Sequence, residues 1–361
     1  RIFDGDITVY HPTQLDLLYI NAHCNDLYAT HHLMQDILTQ LHIHSVTLPK
    51  ELAKLGSIHY RGAIDGRLEH TDLHGGLTTN LGNMKVNGFV ETDTTLQNID
   101  FRGHLSTDKF QLGNLLSNND IGSIAFQAHV DGEVDSTQLT QCIAQVDIQH
   151  LQYKGYNYQD IHFDGIMGVE EVSGTLHIDD ENIAVDINGL ADWSLEDTRL
   201  DLTARIHQFH PNGLQLTDKY PNLSLSAMTY ISLFTSGSPK QMMDNLTGYM
   251  IIDTLAVRNG DKQAVMQQMK LDIESEWENK NLFHKLHLQS DYLTADLSGN
   301  FRYTTLPNTF QQLLHTYLPS TVPAQKKPNK EANQLNFYAY FRQLEEIAHI
   351  LELPLSLPSY P

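Results

Sequence analysis

Residues Ile99-Asp100-Phe101-Arg102-Gly103-His104-Leu105 alternate without a break. Odd positions are apolar or Gly and even positions are polar, which is the period of a strand with one dry and one wet face. Outward along the chain the same period returns. Ile124, Phe126, Ala128 and Val130 take turns with Gln127, His129 and Asp131. Leu176 and Ile178 lead into Asp179-Asp180-Glu181-Asn182, and Ile183, Val185 and Ile187 then alternate with Asp186 and Asn188. That pattern predicts a hairpin with an acidic turn. Leu223, Leu225, Ala227, Ile231 and Leu233 share one parity, as do Met269, Leu271, Ile273 and Trp277. Leu293, Ala295, Leu297, Phe301 and Tyr303 do the same.

Long two-faced strands with short connections predict an all-β chain, an elongated, curled antiparallel meander (a groove-like sheet or β-taco) of roughly 16 to 18 strands. Helical periodicity is confined to Leu33–Leu41, Pro49–Leu55, Leu112–Leu116 and Pro307–Leu318, too short to cover a large sheet.

The chain also resembles itself. Leu55–Gly66 (LGSIHYRGAIDG) matches Ile121–Gly132 (IGSIAFQAHVDG), and Leu96–Gly103 (LQNIDFRG) matches Tyr158–Gly165 (YQDIHFDG). Two matches in the same order at similar offsets predict a repeated multi-strand unit, near 55–120 and 121–190, inside a sheet segment spanning 1–318. Residues 319–335, with three prolines and three lysines in the run 319–330, read as an extended linker. Residues 336–361 read as the start of another strand-helix unit, with Phe337, Ala339 and Phe341 alternating before Leu344, Ile347 and Leu351.

Net charge is −21, from 23 basic and 44 acidic residues. Such a chain repels phosphate backbones, so nucleic acid is excluded as an expected partner. Twenty histidines make the charge change strongly, toward less negative, between about pH 7 and pH 5. Cys24 and Cys142 are either paired or free thiols. No apolar run is long enough for a membrane-spanning helix. No signal peptide precedes Arg1, and the chain reads as an internal piece of something longer.

No phosphate-binding, dinucleotide, nucleophile-elbow or zincin motif is present. The pairs His42/His44, His70/His74, His207/His210 and His284/His287 lack the third and fourth convergent ligands of a metal site and read as solvent-face residues. Asp179/Asp180 and Glu170/Glu171 read as solvated turns. We therefore expect no catalytic residue, metal or cofactor. The expected site is the dry face itself, carried by Ile99, Phe101, Leu105, Ile124, Phe126, Val130, Ile161, Phe163, Leu176, Ile178, Ile183, Val185, Ile187, Leu223, Leu225, Ile231, Leu233, Leu271, Ile273, Leu297 and Phe301. Each is worth about 1.5–3 kcal/mol if fully buried. Either a second sheet covers them, or the sheet curls lengthwise and leaves an apolar gutter.

Several segments resemble the TamB proteins of the AsmA-like superfamily. They are Leu48–Gly66 (LPKELAKLGSIHYRGAIDG), Leu151–Gly165 (LQYKGYNYQDIHFDG), Gly174–Val185 (GTLHIDDENIAV), Phe209–Leu216 (FHPNGLQL) and Leu313–Ser320 (LLHTYLPS). The resemblance implies a Gram-negative periplasmic protein, anchored in the inner membrane by an N-terminal helix outside this chain. It implies a curled sheet with a hydrophobic groove for phospholipid acyl chains. It also implies a partner in an outer-membrane assembly barrel, TamA or a relative, met through a part also outside this chain. The implied role is phospholipid transport between the membranes, outer-membrane protein assembly, or both. Two readings compete with it: a surface or extracellular β-solenoid or β-sandwich adhesion module with a closed interior, and a polysaccharide-acting enzyme on a parallel β-helix.

Overall fold

The structure is a computed structural model that describes residues 2–14, 17–40, 48, 50–67, 69–92, 98–135, 139–193, 197–236, 244–278, 281–317, 319, 333–342 and 349–350. The chain forms two compact units, Arg1–Glu181 and Asn182–Pro361. The boundary lies in the acidic turn after Ile178, within the segment 1–318 that reads from sequence as one sheet.

In the first unit ten strands follow one another: β1 (Phe3–Tyr10), β2 (Tyr19–Thr30), β3 (Ser57–Arg67), β4 (His70–Thr79), β5 (Gly82–Thr92), β6 (Asn98–Gln111), β7 (Ile121–Asp135), β8 (Leu139–Tyr153), β9 (Tyr156–Gly168) and β10 (Glu171–Asp179). Each pairs antiparallel with its sequence neighbours. No described pairing joins β1 to β10, so this meander is an open sheet and not a barrel. The second unit holds β11 (Ile183–Asp192), β12 (Asp197–Phe209), β13 (Leu223–Ser236), β14 (Thr247–Asn259), β15 (Lys262–Met266), β16 (Met269–Glu278), β17 (Asn281–Ser290), β18 (Leu293–Asn300) and β19 (Gln334–Phe341). It is again a sequential antiparallel meander. β15 and β16 lie end to end along β14, against Leu255–Asn259 and Gly248–Ile252 respectively. All of these pairings are antiparallel, which rules out a parallel β-helix.

The predicted helices form where expected: α1 (His31–Gln40), a 3-10 turn (Lys50–Leu55), α2 (Leu112–Leu116) and α3 (Leu306–Tyr317). The 3-10 turn and α2 close one end of the first unit. Leu55, Leu112 and Leu115 pack on buried Leu81, Phe110 and Ile124. The Lys54 ammonium donates to the Leu115 carbonyl at 2.6 Å, tying the two elements together. Among the described residues no helix is long and apolar enough to cross a membrane.

Bulges and glycines curl these sheets. Two bulges, one in β2 at Cys24/Leu27 and one in β6 at Thr107/Phe110 that shifts the register against both β5 and β7, each insert one residue on a strand, which bends it and raises its twist. At Gly62 the backbone has φ 156° and faces Gly75 across the ladder. A Cβ there would stand 2.1 Å from the His74 carbonyl oxygen and 2.6 Å from the Gly75 Cα. Only two glycines allow this approach, and such glycine kinks are how a sheet is creased.

The first sequence match, β3 with β7, joins strands four apart. Gly62, Ile64 and Gly66 occupy the same cross-strand rows as Ala128, Val130 and Gly132, while the row from Tyr60 is broken by the register shift between β5 and β6 before it reaches Phe126. The second match, β6 with β9, joins strands three apart, which run in opposite directions, so only Gly103 and Gly165 share a row. Of the linker 319–335, positions 320–332 lie outside the described residues. The expected helix around Leu344, Ile347 and Leu351 also lies outside them, as does the pair His42/His44.

Candidate functional site

Residues opposite one another in a ladder share a face, so the registers show whether the predicted dry face is continuous. One row runs Gly62–Gly75–Val86–Leu105–Ala128–Val146–Phe163–Leu176, from β3 to β10. Its neighbour runs Ala22–Ile64–Leu73–Gly88–Gly103–Val130–Ala144–Gly165–Gly174. A third carries Val90–Phe101–Gly132–Cys142–Met167–Val172, and a fourth Phe126–Ile148–Ile161–Ile178. Ile99 extends the face beside Val134, and Ile124 ends it beside Leu151. The alternation seen in single strands therefore adds up to one uninterrupted apolar face in the first unit.

The second unit does the same. Leu200–Leu233–Gly248–Ile273–Leu286–Leu297–Phe337 is one row, and Leu202–Ile231–Met250–Leu271–Leu288–Ala295–Ala339 the next. Ile187, Val185 and Ile183 start three more, opposite Ala204, Ile206 and Phe209, and Leu225 continues the last opposite Val257. Leu223 sits at the strand end opposite Asn259.

Exposure separates an open face from a sandwich interior, where inward side chains are close-packed and sealed. Of the 21 predicted residues, six are buried: Ile124, Ile161, Val185, Ile273, Leu297 and Phe301. The other fifteen, Phe101, Leu105, Phe163 and Leu271 among them, are half-buried, and none is exposed. The face is shielded by its own curl and by neighbouring side chains, yet large apolar groups along it keep contact with solvent. At Gly165, a Cβ would meet the Phe163 ring at 2.7 Å and the Ser173 carbonyl oxygen at 2.2 Å. The ring of Phe163 lies down over the bare backbone two residues on, an aromatic covering of a strand glycine.

A cavity of about 230 Å³ opens on the dry face of the second unit, lined by Leu223, Leu225, Leu255, Val257, Met266 and Tyr292, with Ala264 and Ile350. It exceeds the roughly 150 Å³ that suffices for an apolar pocket to admit benzene. Ile350 is 3% exposed, and its carbonyl accepts a hydrogen bond from the Asn259 amide nitrogen at 2.9 Å. The cavity lining is almost free of polar atoms, so it can hold hydrocarbon but has nothing to orient a polar ligand.

The opposite face is polar and held by cross-strand pairs. His59–Asp26, His70–Glu91, His207–Asp186 and His287–Asp296 bridge at 2.7–2.9 Å, and Arg102–Asp131 at 2.6 Å. His70 and His74 lie on this face, as expected of solvent-side residues. Glu91, hydrogen-bonded to the His70 ring, raises the His70 pKa above its ordinary value.

Three residues depart from expectation. His284 is fully buried and not on the solvent face: Ser275 and Gly299 oppose it in the apolar rows, and the rings of Phe301 and Tyr303 pack on it at 4.8 and 4.7 Å. Burial lowers its pKa. Its Nδ1 meets the Ser275 hydroxyl at 2.8 Å, and that hydroxyl donates to the Leu246 carbonyl. Asp180 is buried and not solvated; it accepts from the Tyr156 hydroxyl at 2.5 Å and the Gln159 amide at 3.0 Å, locking the β8–β9 hairpin to the end of β10. Phe301 lies beyond β18, which ends at Asn300, and plugs the His284 cluster where the alternation predicts a further strand residue.

Cys24 and Cys142 are both free and buried, and desolvation raises both thiol pKa values. Among the described residues no three His, Cys, Asp or Glu side chains converge as a metal site would require. No family model, curated protein or solved structure matches the chain.

Proposed function

We propose that this protein is a periplasmic scaffold whose apolar face carries hydrocarbon chains, acting in phospholipid transport between membranes, in outer-membrane protein assembly, or in both. The observation that supports it is the uninterrupted rows of generic Ile, Leu, Val, Phe and Gly in each unit, with fifteen of the 21 predicted residues half-buried and so still in contact with solvent among the described residues. The transport role, the compartment and a TamA-like partner rest on the resemblance of the sequence to TamB proteins.

The energetics favour a generic surface. Taking a lipid with roughly 30 methylenes into water costs about 24 kcal/mol at 0.8 kcal/mol per methylene. A conduit only has to match the bilayer interior along its length. A tight, specific pocket would trap its cargo, so repeated unspecialised apolar side chains serve better than a sharp motif. The reading assigns no catalytic residue.

The test is lipid cross-linking in cells. A photoreactive side chain at Leu105 or Leu176, on the apolar face, should capture phospholipid. One at Thr175, on the polar face of β10, should not. Equal labelling at both faces would refute the proposal.

A further inference from the structure

Cations are scarce in this chain, 23 against 44 acidic residues, and several on the polar face of the sheets are matched. Arg102 pairs with Asp131, Arg199 with Asp201, Lys270 with Asp272, and Lys285 with Glu274 and Glu276. One place departs from this. On the polar side of the first unit, Arg61 on β3 faces Gly76 on β4, which faces Lys85 on β5, which faces Ser106 on β6. Gly76 puts no side chain between the two cations; a Cβ there would meet only the Met84 carbonyl, at 3.6 Å. The single bulge in β6, at Thr107/Phe110, brings Lys109 to the same spot. The result is a concavity of about 370 Å³ lined by Arg61, Lys85 and Lys109 together with Thr78, Asn83 and Ser106. Asp108 is its one acidic lining residue. None of the three cations forms an ion pair with a described residue. Asp26, which lies near Arg61 in the β2 bulge, is bonded to His59.

We infer that this concavity binds a phosphate group. Arg61 and Lys85 sit two strands apart, about 10 Å at the usual strand spacing, so their long side chains can close on one anion from both sides. A guanidinium offers a paired donor fork to phosphate oxygens and an ammonium adds a point charge. The Thr78 and Ser106 hydroxyls and the Asn83 amide supply neutral donors. The chain's net charge of −21 repels anions in general, so binding here has to be local. The site lies on the face opposite the apolar rows and does not depend on the lipid reading. The phosphate belongs either to a lipid headgroup or to a small soluble ion.

The experiment is isothermal titration of the folded chain at 0.15 M NaCl, in one arm with inorganic phosphate and in the other with dihexanoyl phosphatidic acid below its micelle concentration. The comparison variants are Lys85→Gln/Lys109→Gln, Arg61→Gln alone in case the double variant misfolds, and Lys219→Gln as control. The expected result is saturable binding that weakens about tenfold or more in either site variant and is unchanged in Lys219→Gln. Binding in both arms marks a phosphate site, binding of phosphatidic acid alone a headgroup site, and binding of inorganic phosphate alone a small-anion site. Absence of binding in both arms, or binding indifferent to Arg61, Lys85 and Lys109, overturns the inference.

Discussion

Gly62 and His284 show how much a single side chain decides here. Replacing Gly62 by Val drives a branched side chain into the His74 carbonyl at a backbone angle L residues avoid. We expect a loss of about 3 kcal/mol, read as a fall of about 6–12 °C in the melting temperature of the first unit. His284 makes stability depend on pH. Its pKa is depressed by burial, so the folded state holds it neutral while the unfolded chain takes up a proton near pH 6.5. Its contribution is complete above pH 6.5 and is lost as pH falls through that value toward the folded pKa. His70 has the opposite sign: its raised pKa adds stability below pH 6.5 that disappears as pH rises through the folded value, and its exposure keeps the effect small. Urea titrations from pH 5 to 8 should therefore show His284→Phe with a flatter acid limb than the parent, and an unchanged limb would contradict the assignment. His284 was legible in the sequence. It shares parity with Leu286 and Leu288, whereas His287, on the other parity, faces solvent and pairs with Asp296. Asp180 was not legible, because nothing local announces that Tyr156 and Gln159 fold back onto it.

At the scale of elements, alternation located the strands and short apolar periodicity located the helices, because each signal is set by neighbours within one turn or one ladder. What the sequence hid were the bulges. An inserted residue preserves composition and moves only the register, so the β5–β6 bulge that gathers Arg61, Lys85 and Lys109 leaves no pattern along the chain. The end of β18 was missed for a related reason. Phe301 and Tyr303 keep strand parity while the backbone has already turned toward α3. The closed end of the first unit offers a test: Phe110 is 4% exposed beneath α2, and Phe110→Ala should cost about 3–5 kcal/mol and release the α2 amides to hydrogen exchange ahead of the β7–β8 ladder. Exchange of both segments together would mean that the cap is not a separate element. β19 presents the opposite situation. Phe337, Tyr338, Tyr340 and Phe341 are more than half exposed on a strand with no charged residue, a surface prone to pair with another strand. Tyr338→Lys/Tyr340→Lys should reduce concentration-dependent association in sedimentation velocity, and no change would remove β19 from consideration as a sticky edge.

For the molecule as a whole, the apolar rows turn local alternation into a continuous dry face in each unit, the surface on which the proposed function rests. Each unit keeps its dry face continuous across every described strand, while the residues filling it are interchangeable in kind. Burial of the two cysteines fits that pattern of unreactive filling: both thiols should resist alkylation at pH 7.5 in the folded chain and react fully in urea, and fast labelling of either would show that the face around it opens. The decisive measurement is native mass spectrometry of protein expressed in a phospholipid-containing host and purified without detergent, run beside Phe163→Arg. The account predicts phospholipid adducts of several headgroup types on the parent, and their loss from a folded variant whose only fault is a charge laid on the apolar face. A parent that carries no lipid, or a Phe163→Arg protein that carries as much as the parent, contradicts it.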